Sequence, residues 1–499
     1  MRLYLRPRVG QRGHFVAAAG AARPLYNSLS MRRSFGQALK ILLAFGLAIL
    51  VSVLGLGLWS AHEGTEAVRA GEHLAAAHAF EAAARLLPWR SDLRETAGIA
   101  FFEAGDPANA VRLLQTCRAR NALSPHGWEV LGAATWAGGD QTGAIVAWQD
   151  ALEHYPLEPS MLDYLADAYR ELGHYSDEQE ALERRLLIQV DPEAHYRLGL
   201  LLMFSYPSAA AAQLDDATAL NPDVGEAATT LKETLRAADV EANEASRMIV
   251  IGRGLGLVQE WPLAARAFRL AVNADERNAD GHAWLAEALQ QIGEDGYSEI
   301  QAALALDPQS TTGHVLAGMY WRRQGKTGLS LAEYSQAAAL EPEDGQLQSL
   351  LGDAHAANGD LAAAIEAYQR GADLAPQEPE QWRRLAMFSA DNAVLVLEVG
   401  LPAAEKAVEL APNDARSLDA LGWVNAQAGY LFKAEEALLE AIRNNPDSAS
   451  AQLHLGITYL RRGQNDLAYE HLMRAVALDG EGAIGLQASQ LLKAARPAN

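Results

Sequence analysis

The sequence predicts an all-α fold, a solenoid of about twelve stacked helix pairs behind one membrane-spanning helix. Three observations carry that prediction. Residue types recur at a fixed step of 34, an uncharged run of 21 residues stands near the N-terminus, and basic residues flank that run on one side only.

The recurrence holds position for position. Leu418, Leu421, Gly422, Gly429, Ala434, Leu438, Ala441 and Pro446 return as Gln452, Leu455, Gly456, Gly463, Ala468, Leu472, Ala475 and Gly480. An upstream copy reads Trp128, Leu131, Gly132, Gly139, Ala144, Trp148, Ala151 and Pro156. Two antiparallel helices per unit explain these types. A small residue at repeat position 8 (Gly132, Ala166, Gly352, Gly422, Gly456) lets the first helix approach the second, and positions 20 and 27 do the same from the other side. Glycine at position 15 takes the positive φ that ends the first helix. Proline at position 32 stops the second. One unit cannot bury its apolar face alone, so units stack.

The upstream copy, W-x2-L-G, then A-x3-aromatic-x2-A, then Pro, resembles the tetratricopeptide repeat (TPR) family, in its membrane-anchored bacterial type. The resemblance implies a right-handed superhelix. Units are expected near 57–90, 91–124, 125–158, 159–192, 191–222, 245–278, 279–308, 311–344, 345–378, 379–414, 415–448 and 449–482. The copy from Tyr196 to Pro222 is a residue or two out of register, and that from Trp382 to Pro412 carries extra residues around Asn392 to Gly400, with the apolar run Val394–Leu397. Between 223 and 244, Val224, Ala228, Leu231, Leu235, Ala238 and Ala242 share one face of a linking helix that is expected to separate a 57–222 array from a 245–482 array. A last helix, Ile484 to Ala495 within the 483–499 segment, is expected to cap the final unit. Repeat arrays grow in one dimension, so 499 residues need no separate globular domain.

Residues 41–61, ILLAFGLAILVSVLGLGLWSA, match the thickness of a bilayer core at helical rise and read as an uncleaved anchor, with Trp59 where an interfacial aromatic belongs. Ahead of Glu63 the chain holds Arg2, Arg6, Arg8, Arg12, Arg23, Arg32, Arg33 and Lys40 and no acidic residue. The 1–40 tail is therefore expected in the cytoplasm and the array outside, in a single-pass protein of the cytoplasmic membrane. Translation from Met31 would leave a compact basic segment before the helix. Removing those eight from the chain's 41 basic residues leaves 33 against 63 acidic, a balance of −30 that disfavours nucleic acid.

No enzyme chemistry is expected. Cys117 is the only cysteine, which excludes a disulfide within the chain and CxxC-type metal pairs, and its place at position 27 reads as small core. The thirteen histidines show no ligand spacing; His73 and His78 point to different helix faces. Gly252, Gly254 and Gly256 after Met248–Ile251 resemble a phosphate loop, but Leu257 stands where the next glycine belongs. Gly252 falls on position 8, with Ala264, Phe268 and Ala271 at positions 20, 24 and 27, so helix packing explains it. Neither a cofactor nor a metal is expected.

What the family resemblance implies is a concave binding wall at first-helix positions 2, 5, 9, 12 and 13. There the sequence places Trp423, then Leu453, Ile457, Leu460 and Arg461, and, in an earlier unit, Val315, Met319, Arg322 and Arg323. Large apolar side chains beside arginine suit a peptide or protein surface. The alternative reading packs Trp423, Leu453 and Leu460 against neighbouring units or the cap. Elsewhere the wall is acidic, with Asp163, Asp167, Glu171, Asp280, Glu287 and Asp353. Position 5 carries Glu129, Asp163, Val315, Ser349, Asp419 and Leu453, which rules out the lysine-based clamp that some family members close on a C-terminal carboxylate. The expected function is a scaffold for protein partners in a cell-envelope or secretion complex. An accessory subunit of an envelope glycan-synthesis or export enzyme, and a homo-oligomeric structural element, are the alternatives.

Overall fold

The computed structural model describes residues 27–495, with side chains from Leu39 to Lys493. The expected basic tail up to residue 26 lies outside the described residues. Among those described there are helices and no strand. The chain divides into two compact units, 1–194 and 195–499.

In the first unit, α1 (Asn27–Arg69) packs on α2 (His73–Leu86), followed by α3 (Ser91–Glu103) with α4 (Pro107–Arg118), α5 (Pro125–Ala137) with α6 (Gln141–His154), and α7 (Pro159–Leu172) with α8 (Tyr175–Ile188). Local chemistry sets the helix starts. Asp106, Ser124 and Asp140 accept the backbone N–H of Asn109, Gly127 and Gly143, and prolines open α4, α5 and α7 where a missing N–H costs nothing. Helix α1 is continuous. From Leu39 to Arg69 it is the one described helix long and apolar enough to cross a membrane, and its C-terminal third is also the first helix of the first pair.

In the second unit, α9 (Pro192–Leu202) and α10 (Pro207–Leu220) precede a 3₁₀ turn at Pro222–Val224 and α11 (Gly225–Asp239). Then come the pairs α12 (Glu244–Leu257) with α13 (Trp261–Ala274), α14 (Ala279–Gln291) with α15 (Tyr297–Leu306), and α16 (Thr311–Arg323) with α17 (Thr327–Leu340). Next are α18 (Gly345–Ala357) with α19 (Leu361–Leu374), α20 (Pro379–Asp391) with α21 (Leu401–Leu410), and α22 (Ala415–Gln427) with α23 (Leu431–Asn444). Last are α24 (Ala449–Arg461) with α25 (Asn465–Asp479), and the single α26 (Ala483–Ala495).

Close helix approach depends on the small residue at position 8. A Cβ on Gly456 would lie 2.8 Å from Leu472 Cγ, and one on Gly252 would lie 2.5 Å from a ring carbon of Phe268. Residues 244–257 are therefore helix, and the three glycines there make room for Phe268, Thr234 and Trp261.

Two segments depart from a regular array. The linking helix α11 buries Ala228, Leu231, Leu235 and Ala238 and packs on both α10 and α12. It thus lies inside the second unit, and the division between units falls earlier, at Ala194, than the 223–244 segment where the sequence places the break. The extra residues before α21 form a π-helical stretch, Val396–Gly400, after Ala393 and Leu395 at positive φ. Ser389 Oγ donates to Val394 O at 2.5 Å, and Val394, Val396 and Val399 pack on the core of the neighbouring helices while Leu395 and Leu397 face solvent.

Candidate interaction groove

First helices of consecutive pairs line one wall, and in the second unit four of them, α12, α14, α16 and α18, open a groove of about 630 Å³. Its apolar surface comes from Trp284, Val315, Met319 and Leu347, with Trp261 at one side. Two of these are held from behind: Trp284 stacks on Phe268 with ring centroids 6.0 Å apart, while Leu347 is buried at the start of α18. Asp344 caps that helix by accepting from Leu347 N at 3.0 Å. Val315 and Met319, one turn apart on α16, stay half-exposed and present their side chains to the opening.

Charge of both signs stands at the groove: Arg253 and Arg323 share the lining with Glu287, Glu341 and Asp344. The Arg253 guanidinium lies 5.2 Å from the Trp284 ring centroid, a cation–π arrangement that keeps the charge at the mouth. Arg323 is fixed by Glu287, whose side chain is only 4% exposed. The guanidinium donates through Nη1 to Oε2 at 2.6 Å and through Nη2 to Oε1 at 2.5 Å, with a further bond from Nη1 to Gln290 Oε1 at 3.0 Å. Gln291 Nε2 donates to the same carboxylate at 2.9 Å. Hydrogen bonding to Glu287 raises the Arg323 pKa above its ordinary value, so the guanidinium keeps its charge. Glu287, one of the acidic wall residues in the sequence, is thus a buried support for a basic one.

Of the residues singled out from the sequence, the structure brings Val315, Met319 and Arg323 together in this groove. Arg322 is exposed and lies outside its lining. Trp284, Arg253, Trp261 and Leu347 were missed. For Arg253 the signal was available, because it occupies position 9 of its unit, as Met319 does.

The C-terminal cluster is placed differently. Trp423 is 6% and Leu453 3% exposed. The Trp423 indole stacks on His454 at 4.3 Å and 9°, and its Nε1 donates to Asp391 Oδ1 at 2.7 Å. His454 Nδ1 is in turn 2.8 Å from Asp419 Oδ1. Leu453 lies in a core with Ile457 and Leu460 at its margin, covered from the far side by Ile484, Leu491 and Leu492 of α26. Of these five residues Arg461 alone is exposed, lying 5.5 Å from the Trp423 ring centroid and donating to Ala426 O at 2.7 Å. The open wall expected at Trp423 and Leu453 is filled from within the chain, because α26 and the packed ends of α20 and α24 occupy it. Burial holds the Asp391 carboxyl above the usual carboxylate range, against the opposing effect of the Trp423 hydrogen bond.

A family profile described as tetratricopeptide repeat matches residues 95–159, 315–379 and 433–483. The chain is 38% identical over 60 residues to a TPR repeat-containing protein of Pseudomonas aeruginosa, a match that covers 12% of this chain and 57% of the relative. The chain thus spans little more than half of that relative's length. Among solved structures it is similar to yeast Tom70, at 16% identity over 81% of this chain and 95% of that one with a TM-score of 0.39. A MamA structure from Desulfovibrio magneticus matches at 23% identity over 35% of this chain and 97% of that one, with a TM-score of 0.30. The 34-residue register, the helix pairs it produces and the profile agree at residues 95–159, 315–379 and 433–483, and those stretches match tetratricopeptide repeats.

Proposed function

We propose that the chain is a non-catalytic scaffold anchored in a bacterial-type cytoplasmic membrane by residues 41–61. The groove between α12 and α18 then receives an extended or helical segment of a protein partner. A TPR solenoid is a protein–protein interaction scaffold, and the observation that supports this particular groove is its chemistry. Trp284, Val315 and Met319 offer an apolar seat, and Arg253 and Arg323 stand at its mouth in a chain that is otherwise acidic. A partner segment that seats an apolar side chain here, with polar groups meeting the mixed charges at the rim, fits both features. Arg323 is pre-positioned by Glu287, so little side-chain entropy is lost on contact. Assembly of an envelope or secretion complex is the setting that this reading favours.

The test is affinity capture of the full-length chain from membranes in mild detergent, with captured proteins identified by mass spectrometry. Met319→Asp should lower capture of the specific partner about thirtyfold, the equivalent of about 2 kcal/mol at an interface anchor. Its helical content at the assay temperature should stay at the parent value. Undiminished capture by this variant and by Val315→Asp would remove the groove from consideration. A captured species that is another copy of the chain would favour the homo-oligomeric alternative. For the anchor and its orientation, protease added to spheroplasts should digest the array, and full protection would overturn the outward placement.

A further inference from the structure

The membrane-spanning helix is too short to cross a bilayer before it becomes part of the first repeat. From Ile41, the first residue after Lys40, to Val53 it carries no packed neighbour in the repeat core, a free length of about 20 Å at helical rise. A hydrocarbon core is about 30 Å thick. From Leu54 onward α1 is one wall of the first pair: Leu54, Ala61 and Ala67 join the core of α2 and α3. Gly57 lies against Leu87, and Gly64 against the ring of Phe80. Reaching full thickness takes the core about seven residues further, to the level of Trp59. Extending it the other way would draw Gln37 and Lys40 into hydrocarbon, where a lysine is strongly disfavoured.

The register of the pair says what enters with it. Going from Gly57 to Gly64 on α1 goes from Leu87 back to Phe80 on α2, the same number of residues in opposite directions. Trp59 is therefore level with Arg85, and the corner after α2, Leu87-Pro88-Trp89-Arg90, lies on the membrane side of Trp59. The corner is closed by Arg90 N–H donating to Leu87 O at 2.9 Å, and Arg90 is held by Asp92. Pro88 and Trp89 project from it. Trp89 is 62% exposed and Trp59 61%, two indoles turned outward near one level, as in an interfacial aromatic belt. Leu157 and Val190 are exposed on later corners of the same edge of the unit, while the turns on the opposite edge carry Gly71-Glu72, Gly105-Asp106 and Gly139-Asp140.

We propose that the corner Leu87–Arg90 is a second membrane contact. Trp89 enters the boundary between headgroups and acyl chains, and the first helix pair is fixed on the lipid surface with no linker between span and array. The partner is the bilayer itself. This rests on the reading of α1 as a membrane span, and the experiment separates the two.

The full-length chain carrying Cys117→Ala receives a single environment-sensitive fluorophore at Phe45→Cys, Trp89→Cys or Gln141→Cys. Each variant is reconstituted into vesicles of phosphatidylethanolamine and phosphatidylglycerol, with or without nitroxide-bearing lipid. Circular dichroism checks that helical content is unchanged. The expected result is blue-shifted emission, with most intensity lost to the nitroxide, at positions 45 and 89 and neither effect at 141 on the opposite edge. Quenching at 45 with position 89 behaving like 141 would leave the span standing and overturn the corner contact. No quenching at 45 would overturn both.

Discussion

Arg323 reaches back 36 residues to clamp Glu287 through two parallel hydrogen bonds, and the carboxylate it holds is almost wholly buried while the guanidinium faces the groove. One side of this pair supports the fold and the other presents charge to a partner. Arg323→Ala leaves Glu287 with Gln291 as its remaining hydrogen-bond donor, and the loss of charged hydrogen bonds should cost about 2 kcal/mol. Urea denaturation checks this. Glu287→Gln in the same background should recover part of the loss, because the uncompensated charge is then gone, and a strictly additive double mutant would show that the pair is not coupled.

Trp423 and Met319 occupy the same repeat position, yet their substitutions should act on different properties. Trp423→Ala removes a buried indole together with its stack on His454 and its bond to Asp391, which should cost about 3 kcal/mol or more. Met319→Asp changes a partly buried side chain at the margin of a core and should lower the thermal midpoint by much less than Trp423→Ala does. Calorimetry on both variants decides, and equal stability would mean that Trp423 is not core.

Asp391 should make stability depend on pH. Its carboxyl is held above its ordinary value by burial, so the folded state binds the proton more tightly than the unfolded chain does. The contribution is present in full below the unfolded carboxylate range and is lost as pH rises through the folded pKa. Asp391→Asn keeps an oxygen for Trp423 Nε1 and removes the titration. The parent should therefore gain stability relative to this variant as the solution is acidified toward that range, read as a difference between two urea series. A difference that does not change with pH would exclude the effect.

Gly456→Leu drives a branched side chain into Leu472, whose Cγ already lies 2.8 Å from where a Cβ would sit, at a cost of about 1–3 kcal/mol by overpacking. Because α26 covers this last pair, its protection should fall with it. Hydrogen exchange should show faster exchange in α24, α25 and α26 together, and exchange raised only at the altered turn would argue against coupled units.

Cys117 is buried in the first unit, and burial pushes its thiol pKa up. In the folded chain it should resist a thiol-specific reagent at mildly alkaline pH and react once urea unfolds it. Reaction at the free-thiol rate without denaturant would contradict the burial.

The features legible in the sequence are those that short stretches of chain decide. The 34-residue register, the glycine turns, the prolines that end second helices and the apolar stretch at 41–61 each depend on residues within a turn or two of one another. The resemblance to the repeat family rested on them. Even the π-helical insertion announced itself, as surplus residues around 392–400. Tertiary structure decided which residues of the wall remain open. Register alone makes Trp423 and Met319 equivalent, but neighbouring helix ends and α26 fill the space around Trp423 and Leu453, whereas Val315 and Met319 stay partly exposed in the groove. It also turned Glu287 from a wall carboxylate into the buried support of Arg323, and joined the apolar N-terminal helix to the first repeat without a break. Burial and ion pairing between residues thirty or more apart depend on how whole helices stack, and a periodic pattern specifies only that they do.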